Sequence, residues 1–412
     1  MKLLIINQPY GNRGDESAHK ALVRHLNNSY PDSEIETFVL ENNKDLLKDI
    51  AVENNKLKYT SLPKTVFYNK ALFFALNYNM SFLFYIHPTL KAIKKEIKSA
   101  DLVICAPGGI CMGGFQNWEH INLLRIAMKF KKPIAYFGRS IGPFPTGNKK
   151  QILFKKYSYK LMKYFGYFSL RDKKSEEIAS QINIPFISTV DTAFLDSIKV
   201  NNIPLRVQKQ IGNSNYIVFV PHLLTWHYAY RNISTDLLDR FYIGIINNIL
   251  SRDDDTKILM LPQEHYFRLS DDKYYFTRLM EKINNDRIEV IDDMYGSDIQ
   301  QSIIKDAKYV IGARYHSIVF AINNCRPFIS LCYEHKMSGL LDTLNIKNRM
   351  VDITHIFNSE EQVDMAIKEV SLKIDTIHDC TKESLKWQKE AKTIALNGYN
   401  KLKEYIDSFS HS

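Results

Sequence analysis

The sequence lacks the short motifs that would assign a chemistry outright. Its five cysteines, Cys105, Cys111, Cys325, Cys332 and Cys380, are odd in number and include no Cys-x-x-Cys pair. Several stand in apolar, strand-like runs. They read as buried thiols of a reducing compartment and not as a zinc site. Metal-ligand spacing is absent throughout. No Gly-x-Ser-x-Gly elbow marks a hydrolase of that type. Neither Gly-x-Gly-x-x-Gly nor the P-loop pattern occurs, so a dinucleotide or P-loop site is unsupported. Internal repeats and low-complexity tracts are missing too. Lys2 runs straight into Leu3-Leu4-Ile5-Ile6, which reads as a strand and not as a signal peptide. The apolar run Phe67 to Ile86 nears membrane length, but Asn69, Lys70, Asn77 and Asn79 interrupt it. A buried helix is expected there, with a membrane-surface helix as the alternative.

The rest of the composition is that of an ordinary soluble protein, with 45% hydrophobic and 24% charged residues. A length of 412 residues exceeds one ordinary core and predicts two domains. The net charge of +10 is spread thinly, with mild lysine clusters at 91–98, 129–132, 149–163 and 173–174. None is dense enough for a nucleic-acid arm. The excess suits anionic substrates or an anionic membrane surface. The 24 Tyr and 23 Phe are read first as core packing.

Strand-like runs alternate with helical ones along the chain. Strands are predicted at 3–7, 34–40, 101–106, 133–137 and 167–172, with another strand end at Val190-Asp191. The loop after the first strand carries Gly11, Gly14, Asp15 and Glu16 ahead of a helix from about Ser17, and Ser175 is expected to cap a later helix. Glycines 108, 109, 113 and 114 read as turns permitting close backbone approach. Residues 197–215 are polar with Pro and Gly and serve as the interdomain linker candidate. A second series has strands at 216–220, 258–261, 288–291, 309–311 and 328–331. The predicted class is α/β, with two Rossmann-like domains facing across a cleft. The boundaries are 1–200, 215–360 and a helix at 380–410 packing back on the N-terminal domain.

The most informative stretch is Tyr309 to Lys336. It reads as strand, Gly312 turn, helix, Arg326-Pro327 break and strand. Ligands of open α/β sheets sit beyond the carboxyl ends of the strands. Arg314 and His316 follow the first of these strands, and His335 and Lys336 follow the second. Two cations and two imidazoles at one crevice mouth suit an anionic ligand that also needs a proton. Arg171 has a plainer reading as a partner of Asp172 or Glu176, and Asp191 as a helix cap.

Several segments, taken in order, are similar to the polysaccharide pyruvyl transferase family. They are Gly11-Asn12-Arg13-Gly14-Asp15-Glu16, Pro107-Gly108-Gly109, Ser140-Ile141-Gly142-Pro143 and Ser169-Leu170-Arg171-Asp172, followed by Val190-Asp191, Pro262-Gln263, Arg314-Tyr315-His316 and Lys336. The resemblance implies a GT-B-like fold and a reaction in which phosphoenolpyruvate supplies pyruvate as a ketal on two hydroxyls of a sugar. The acceptor would be a sugar or lipid-linked oligosaccharide destined for a surface glycan. In that reading Arg314, Arg171 and Lys336 bind the anionic donor, together with His335 and Gln263. His316 is the general acid, with His222 and His265 as alternatives. Asp15 or Glu16 orients or deprotonates the acceptor, and Gly14 and Gly109 offer backbone N–H groups. Arg139 departs from the small or neutral polar residue expected in its turn. It either adds a phosphate contact or pairs with Asp191. No cofactor or metal is required, and the location is cytoplasmic, with peripheral contact at the inner membrane face through residues 64–98 left open. Oligomeric state is undetermined. The runner-up is a nucleotide-sugar glycosyltransferase of the same fold, with Glu264 or Asp292 cast toward a ribose. A catalytically dead glycan- or membrane-binding scaffold is the third reading, since fold alone does not decide function.

Overall fold

The computed structural model describes residues 1–43, 46–52, 54, 56–196, 203–225, 227, 229–265, 271–291, 293–377 and 381–410. Cys380 and Asp292 lie outside these residues, as does the 197–202 part of the predicted linker. The chain divides into two compact units. One holds Met1–Tyr10, Asp15–Leu195 and Ile394–Ser412, and the other holds Gly11–Gly14 and Asp196–Thr393.

In the first unit the strands are β1 (Lys2–Ile6), β2 (Glu34–Leu40), β3 (Leu57–Leu62), β4 (Leu102–Cys105), β5 (Gly108–Met112), β6 (Ile134–Tyr136), β7 (Arg139–Ile141), β8 (Tyr167–Leu170) and β9 (Ile187–Ser188). Seven of them form one parallel sheet in the order β3-β2-β1-β4-β6-β8-β9. Leu3–Ile6 and Leu102–Cys105 are fully buried, as continuous apolar strands covered on both faces must be. The chain winds from β1 outward to β3, then returns to lay β4 on the other side of β1. That reversal is the position where such sheets open a crevice.

In the second unit the strands are β10 (Tyr216–Val220), β11 (Lys257–Met260), β12 (Ile288–Val290), β13 (Val310–Gly312), β14 (Phe328–Cys332) and β15 (Met350–Asp352). Their order is β12-β11-β10-β13-β14-β15, all parallel, so here the reversal falls between β10 and β13.

Several local expectations are corrected. The first helix begins at Arg13, not Ser17, because the Asn12 side chain accepts from Gly14 N (2.9 Å) and caps it. Asp15 and Glu16 therefore occupy its first turn, where carboxylates complement the helix dipole. Gly108 and Gly109 open β5, which pairs with β7 in a separate two-stranded sheet. Asp172, not Ser175, caps the helix Lys173–Gln181, accepting from Ser175 N at 2.9 Å. Ser175 instead exchanges hydrogen bonds with both backbone groups of Ile141. Within the predicted linker, Leu205–Ile211 is a helix. The Phe67–Ile86 run is broken into the helices Tyr68–Asn77 and Leu83–Ile86, not one buried helix. In the C-terminal helix Thr381–Ser410, Trp387 packs on Phe328 in the second unit. Further along it, Tyr399 donates to Ser29 Oγ (2.9 Å) in the first unit, and Tyr167 Oη donates to Gly398 O (2.7 Å).

Candidate functional site

In the second unit four neighbouring strands end on polar residues: β10 on His222, β11 on Gln263–His265, β13 on Arg314–His316 and β14 on Tyr333–Lys336. They flank the β10/β13 reversal on both sides. Arg314 occupies the N-cap position of the helix Tyr315–Asn323, and its carbonyl accepts from Ser317 Oγ at 2.5 Å. Its guanidinium is buried between two carboxylates. Nη1 donates to Glu264 at 2.5 Å, while Nε (3.1 Å) and Nη2 donate to Asp272. Asp272 also accepts from the backbone N–H groups of Gln263 (2.9 Å) and Glu264 (3.0 Å). Burial pushes Asp272 up to about 6, Glu264 adds to this, and Arg314 opposes it. Asp272 and Glu264 in turn hold Arg314 charged more firmly than usual, against the burial that opposes it. Arg314 is therefore fixed in plane and direction before any ligand arrives.

His316 stands in the first turn of the same helix, edge-on to Tyr315 with ring centroids 4.9 Å apart. Its ring packs on Gly14, where a Cβ would fall 1.7 Å from Nδ1. The Gly11–Gly14 loop is held there by three backbone-directed bonds. Arg13 N donates to Gln263 O (2.9 Å), His265 N to Gly11 O (2.8 Å) and Arg13 Nη2 to Met294 O (2.9 Å). The two alternative acids are both held below the ordinary histidine value. Burial, then Arg314, Lys336 and His227, push His222 well below the ordinary histidine value. Burial and Arg13 push His265 down to about 4. Both are neutral near pH 7.

Beyond β14, Glu334 pairs with Lys336 (2.9 Å) and faces His227 (3.9 Å). Burial alone would raise Glu334, but Lys336 and His227 hold it well below the usual carboxylate range. His335 is the first residue of the helix His335–Thr343. Its Nε2, like Nε2 of Gln263, is buried without a hydrogen-bond partner among the described residues. Buried polar atoms of that kind are rare in folded proteins and call for an account.

The first unit has its own reversal, between β1 and β4. Arg139 is buried there and spends its donors on carbonyls: Gly109 (2.8 Å), Asn7 (3.0 Å) and Ala106 (2.9 Å). It thus ties the ends of β1 and β4 to β5, and Asp191 pairs elsewhere. That partner is Arg171, whose Nε also donates to Ser140 Oγ at 3.1 Å. Neither Asp172 nor Glu176 is the partner of Arg171 in that ion pair. Asp191 accepts as well from Ala193 N (2.9 Å), so it caps a short 3₁₀ turn and neutralises a buried arginine together. Glu16 is buried and paired with Lys20 at 2.5 Å. Asp15 faces Gly108, where a Cβ would come within 2.9 Å of Oδ1. The side-chain oxygens Asn7 Oδ1 and Gln8 Oε1, at the end of β1, are buried without partners among the described residues.

Of the residues singled out from sequence, the second unit gathers Gly14, Gln263, Arg314, His316, His335 and Lys336. Asp15, Gly109 and Arg139 meet at the first unit's reversal. Arg171 and Glu16 are each committed to an ion pair. Glu264, cast toward a ribose in the runner-up reading, is a partner of Arg314. Sequence reasoning missed Asp272, the first residue of the helix Asp272–Ile283. It also missed Asn7 and Gln8, which polar character at a strand's carboxyl end would have flagged. Among the described residues no group of three or more His, Cys, Asp or Glu side chains is arranged to hold a metal.

The family model for polysaccharide pyruvyl transferases matches residues 12–335. This chain belongs to the polysaccharide pyruvyl transferase family. The amylovoran biosynthesis protein AmsJ of Erwinia amylovora is 23% identical over 389 residues, covering 87% of this chain and 89% of AmsJ. Among solved structures, Anabaena HepE in complex with UDP and glucose superposes with a TM-score of 0.61 at 10% identity, covering 99% of this chain and 100% of HepE. S. aureus MnaA with UDP gives 0.60 at 12% identity, covering 98% and 97%. The α,α-trehalose 6-phosphate synthase of Burkholderia multivorans gives 0.57 at 9%, covering 100% and 98%. At these identities the likeness is one of fold. This pyruvyl transferase family member has a GT-B-like architecture of parallel α/β units.

Proposed function

We propose that this chain transfers pyruvate from phosphoenolpyruvate to two hydroxyls of one sugar in a surface glycan or its precursor, forming a cyclic ketal and releasing inorganic phosphate. Family membership supports the transferase class. The observation that carries the donor is the pair of buried nitrogens, Gln263 Nε2 and His335 Nε2, that lack a partner among the described residues, on strand ends that also bear Arg314, His316 and Lys336. A carboxylate and a phosphate on one small molecule would satisfy these donors, with Arg314 and Lys336 as the nearby cations, each already shared with protein carboxylates. The roles of these side chains belong to the proposal.

His316 gives a proton to C3 of the enol, which makes C2 electrophilic. His222 and His265 are held neutral by their surroundings, which counts against them as the acid, and His316 shares the start of its helix with Arg314. One sugar hydroxyl forms a bond to C2 as its proton leaves. The C2–O bond to phosphate then breaks, and the second hydroxyl closes the ketal. One hydroxyl proton replaces the proton given to C3, and the other departs with phosphate. Asp15 is the favoured carboxylate for the acceptor, because Glu16 is paired with Lys20. Asn7 Oδ1 and Gln8 Oε1 offer further acceptors for sugar hydroxyls. Use of phosphoenolpyruvate fits a cytoplasmic location.

Calorimetric titration of phosphoenolpyruvate tests the reading. Binding to wild type is expected, lost in Arg314→Ala and weakened at least tenfold in Lys336→Ala. The second variant leaves the ion pairs of Arg314 with Glu264 and Asp272 in place, since Lys336 pairs instead with Glu334. Stabilisation by UDP or GDP with none by phosphoenolpyruvate would overturn the donor assignment.

A further inference from the structure

Residues 66–86 carry 8 of the 17 large hydrophobic side chains exposed among the described residues. Scattered exposure is normal, and concentration of this kind marks an interaction surface. The local fold explains it. The helices Tyr68–Asn77, Leu83–Ile86 and Pro88–Ser99 send Tyr68, Ala71, Leu72, Ala75, Phe84, Leu90, Ile93 and Ile97 into the core of the first unit. An amphipathic helix should show polar residues on its other face. Here that face shows Phe73, Phe74, Tyr85 and Ile86, and the residues leading into the helices add Phe67 and Phe82. The rings of Phe73, Phe74 and Tyr78 pack on one another with centroids 5.5 to 5.7 Å apart. Phe67 holds a left-handed backbone (φ 62°) that leaves its ring 69% exposed.

The charge of this stretch is largely of one sign, with Lys64 shared with Glu119 at 2.6 Å. Residues 64–98 include six lysines and one acid, Glu96, which pairs with Lys2 at 3.1 Å. Lys91, Lys95 and Lys98 are exposed and spaced to share one side of their helix. Lys94 Nζ sits 3.0 Å from the Tyr85 ring centroid, and Lys70 Nζ 5.6 Å from that of Phe67. A second basic helix, Lys149–Met162, joins where Tyr157 Oη donates to Asn77 Oδ1 (2.7 Å), and it exposes Ile152 and Leu153 beside Lys149, Lys150 and Lys156. Aromatic rings that enter the headgroup layer, ringed by lysines whose stems reach phosphates, are the chemistry of interfacial binding. No described helix is long and apolar enough to cross a membrane.

We infer that residues 66–98 dock the protein on an anionic lipid bilayer, with the aromatic side chains inserted at the interface and Lys91, Lys95 and Lys98 on lipid phosphates. A lipid-borne acceptor would be met at this surface. The docking itself does not depend on the donor chemistry.

The test is co-sedimentation of the purified full chain with vesicles of phosphatidylcholine, with and without phosphatidylglycerol, at low and high salt and with no substrate present. Wild type is expected to bind the anionic vesicles and to be released as salt rises. Combined Phe73→Ser, Phe74→Ser and Tyr85→Ser should cut binding at least tenfold while the chain stays folded by its thermal transition, since all three side chains lie outside the core, with Phe73 and Phe74 packed on each other and on Tyr78. Lys91→Ser, Lys95→Ser and Lys98→Ser should each cost about fivefold on anionic vesicles. Failure of wild type to bind anionic vesicles at low salt overturns the inference. Equal binding by the triple aromatic variant does so too. Sedimentation equilibrium covers the other occupant: a stable dimer dissolved by the aromatic substitutions would assign the face to a second copy and reject the lipid. Phosphoenolpyruvate titration is read separately, so the docking and the donor assignment can fail independently.

Discussion

A methyl group on Gly14 would lie 1.7 Å from Nδ1 of His316 and 1.9 Å from its Cγ. The ring cannot keep its place beside any other residue at position 14. Gly109 offers the contrast, because a Cβ there meets nothing within 4 Å. Gly14→Ala should therefore cost about 1–3 kcal/mol in chemical denaturation, the usual range for overpacking. Gly109→Ala should stay within about 0.5 kcal/mol of wild type. If His316 is the proton donor, Gly14→Ala should also lower phosphate release while Gly109→Ala changes it less. Equal stability of the two variants would show that the Gly14 contact is not rigid.

Arg314 and Asp272 make a buried ion pair that shares Glu264 as a second carboxylate. Removing one partner leaves the other charged and desolvated. Arg314→Met should destabilise the second unit by about 3–5 kcal/mol. Asp272→Asn alone should cost less, since its remaining oxygen can still accept from Gln263 N or Glu264 N. The double variant should be more stable than the sum of the single losses predicts, by about 1 kcal/mol or more. Urea denaturation of all four proteins measures this coupling, and additive losses would dissolve the pair.

How much of this was legible from sequence depended on the kind of signal. Val310–Gly312, Tyr315–Asn323 and Phe328–Cys332 follow the predicted unit closely, because continuous apolar runs and an Arg-Pro break mark buried strands and a helix end. The strand at Leu57–Leu62 was missed, since LKYTSL has weak apolar character on the sheet's edge. The start of the first helix was displaced because Gly11 and Gly14 suggested a loop, whereas Asn12 supplies a cap that carries the helix through Gly14. Arg314 was visible as a cation at a strand end. Its cage was not, because Glu264 and Asp272 lie 50 and 42 residues away in sequence. The exposed face at 66–86 was visible only as hydrophobicity, which does not tell a buried helix from an exposed one.

Arg171 and Asp191 are both nearly inaccessible and joined by an ion pair. Arg171 stands on the residue after β8, and Asp191 caps the turn that follows β9, so the pair clamps the edge of the first sheet. Arg171→Ala should lower stability by about 3–5 kcal/mol, as for other broken buried pairs. Its effect on phosphoenolpyruvate affinity, in whatever fraction stays folded, should be less than that of Lys336→Ala. A loss of donor binding with stability intact would return Arg171 to the role of anion ligand.

Two buried histidines make stability depend on acid. His265 is pushed down to about 4 by burial and Arg13, and His19 to about 3 by burial and Lys20. Above about pH 6.5, the ordinary histidine value, both are neutral in the folded and unfolded chains and contribute no pH dependence. As pH falls below that value the unfolded chain takes up protons that the folded chain refuses. Stability must then drop, by about 1.4 kcal/mol per pH unit for each histidine until its folded value is reached. The window is pH 6.5 down to about 4 for His265 and to about 3 for His19. His19→Gln should flatten the profile there. Its side chain can still reach Thr37 Oγ1, to which His19 Nε2 comes within 3.5 Å, while no longer titrating. Urea denaturation across that range should show the variant losing less stability than wild type on acidification, whatever its absolute stability at neutral pH. Parallel profiles for the two proteins would mean that His19 does take up a proton in the folded state and that its burial is relieved by local opening.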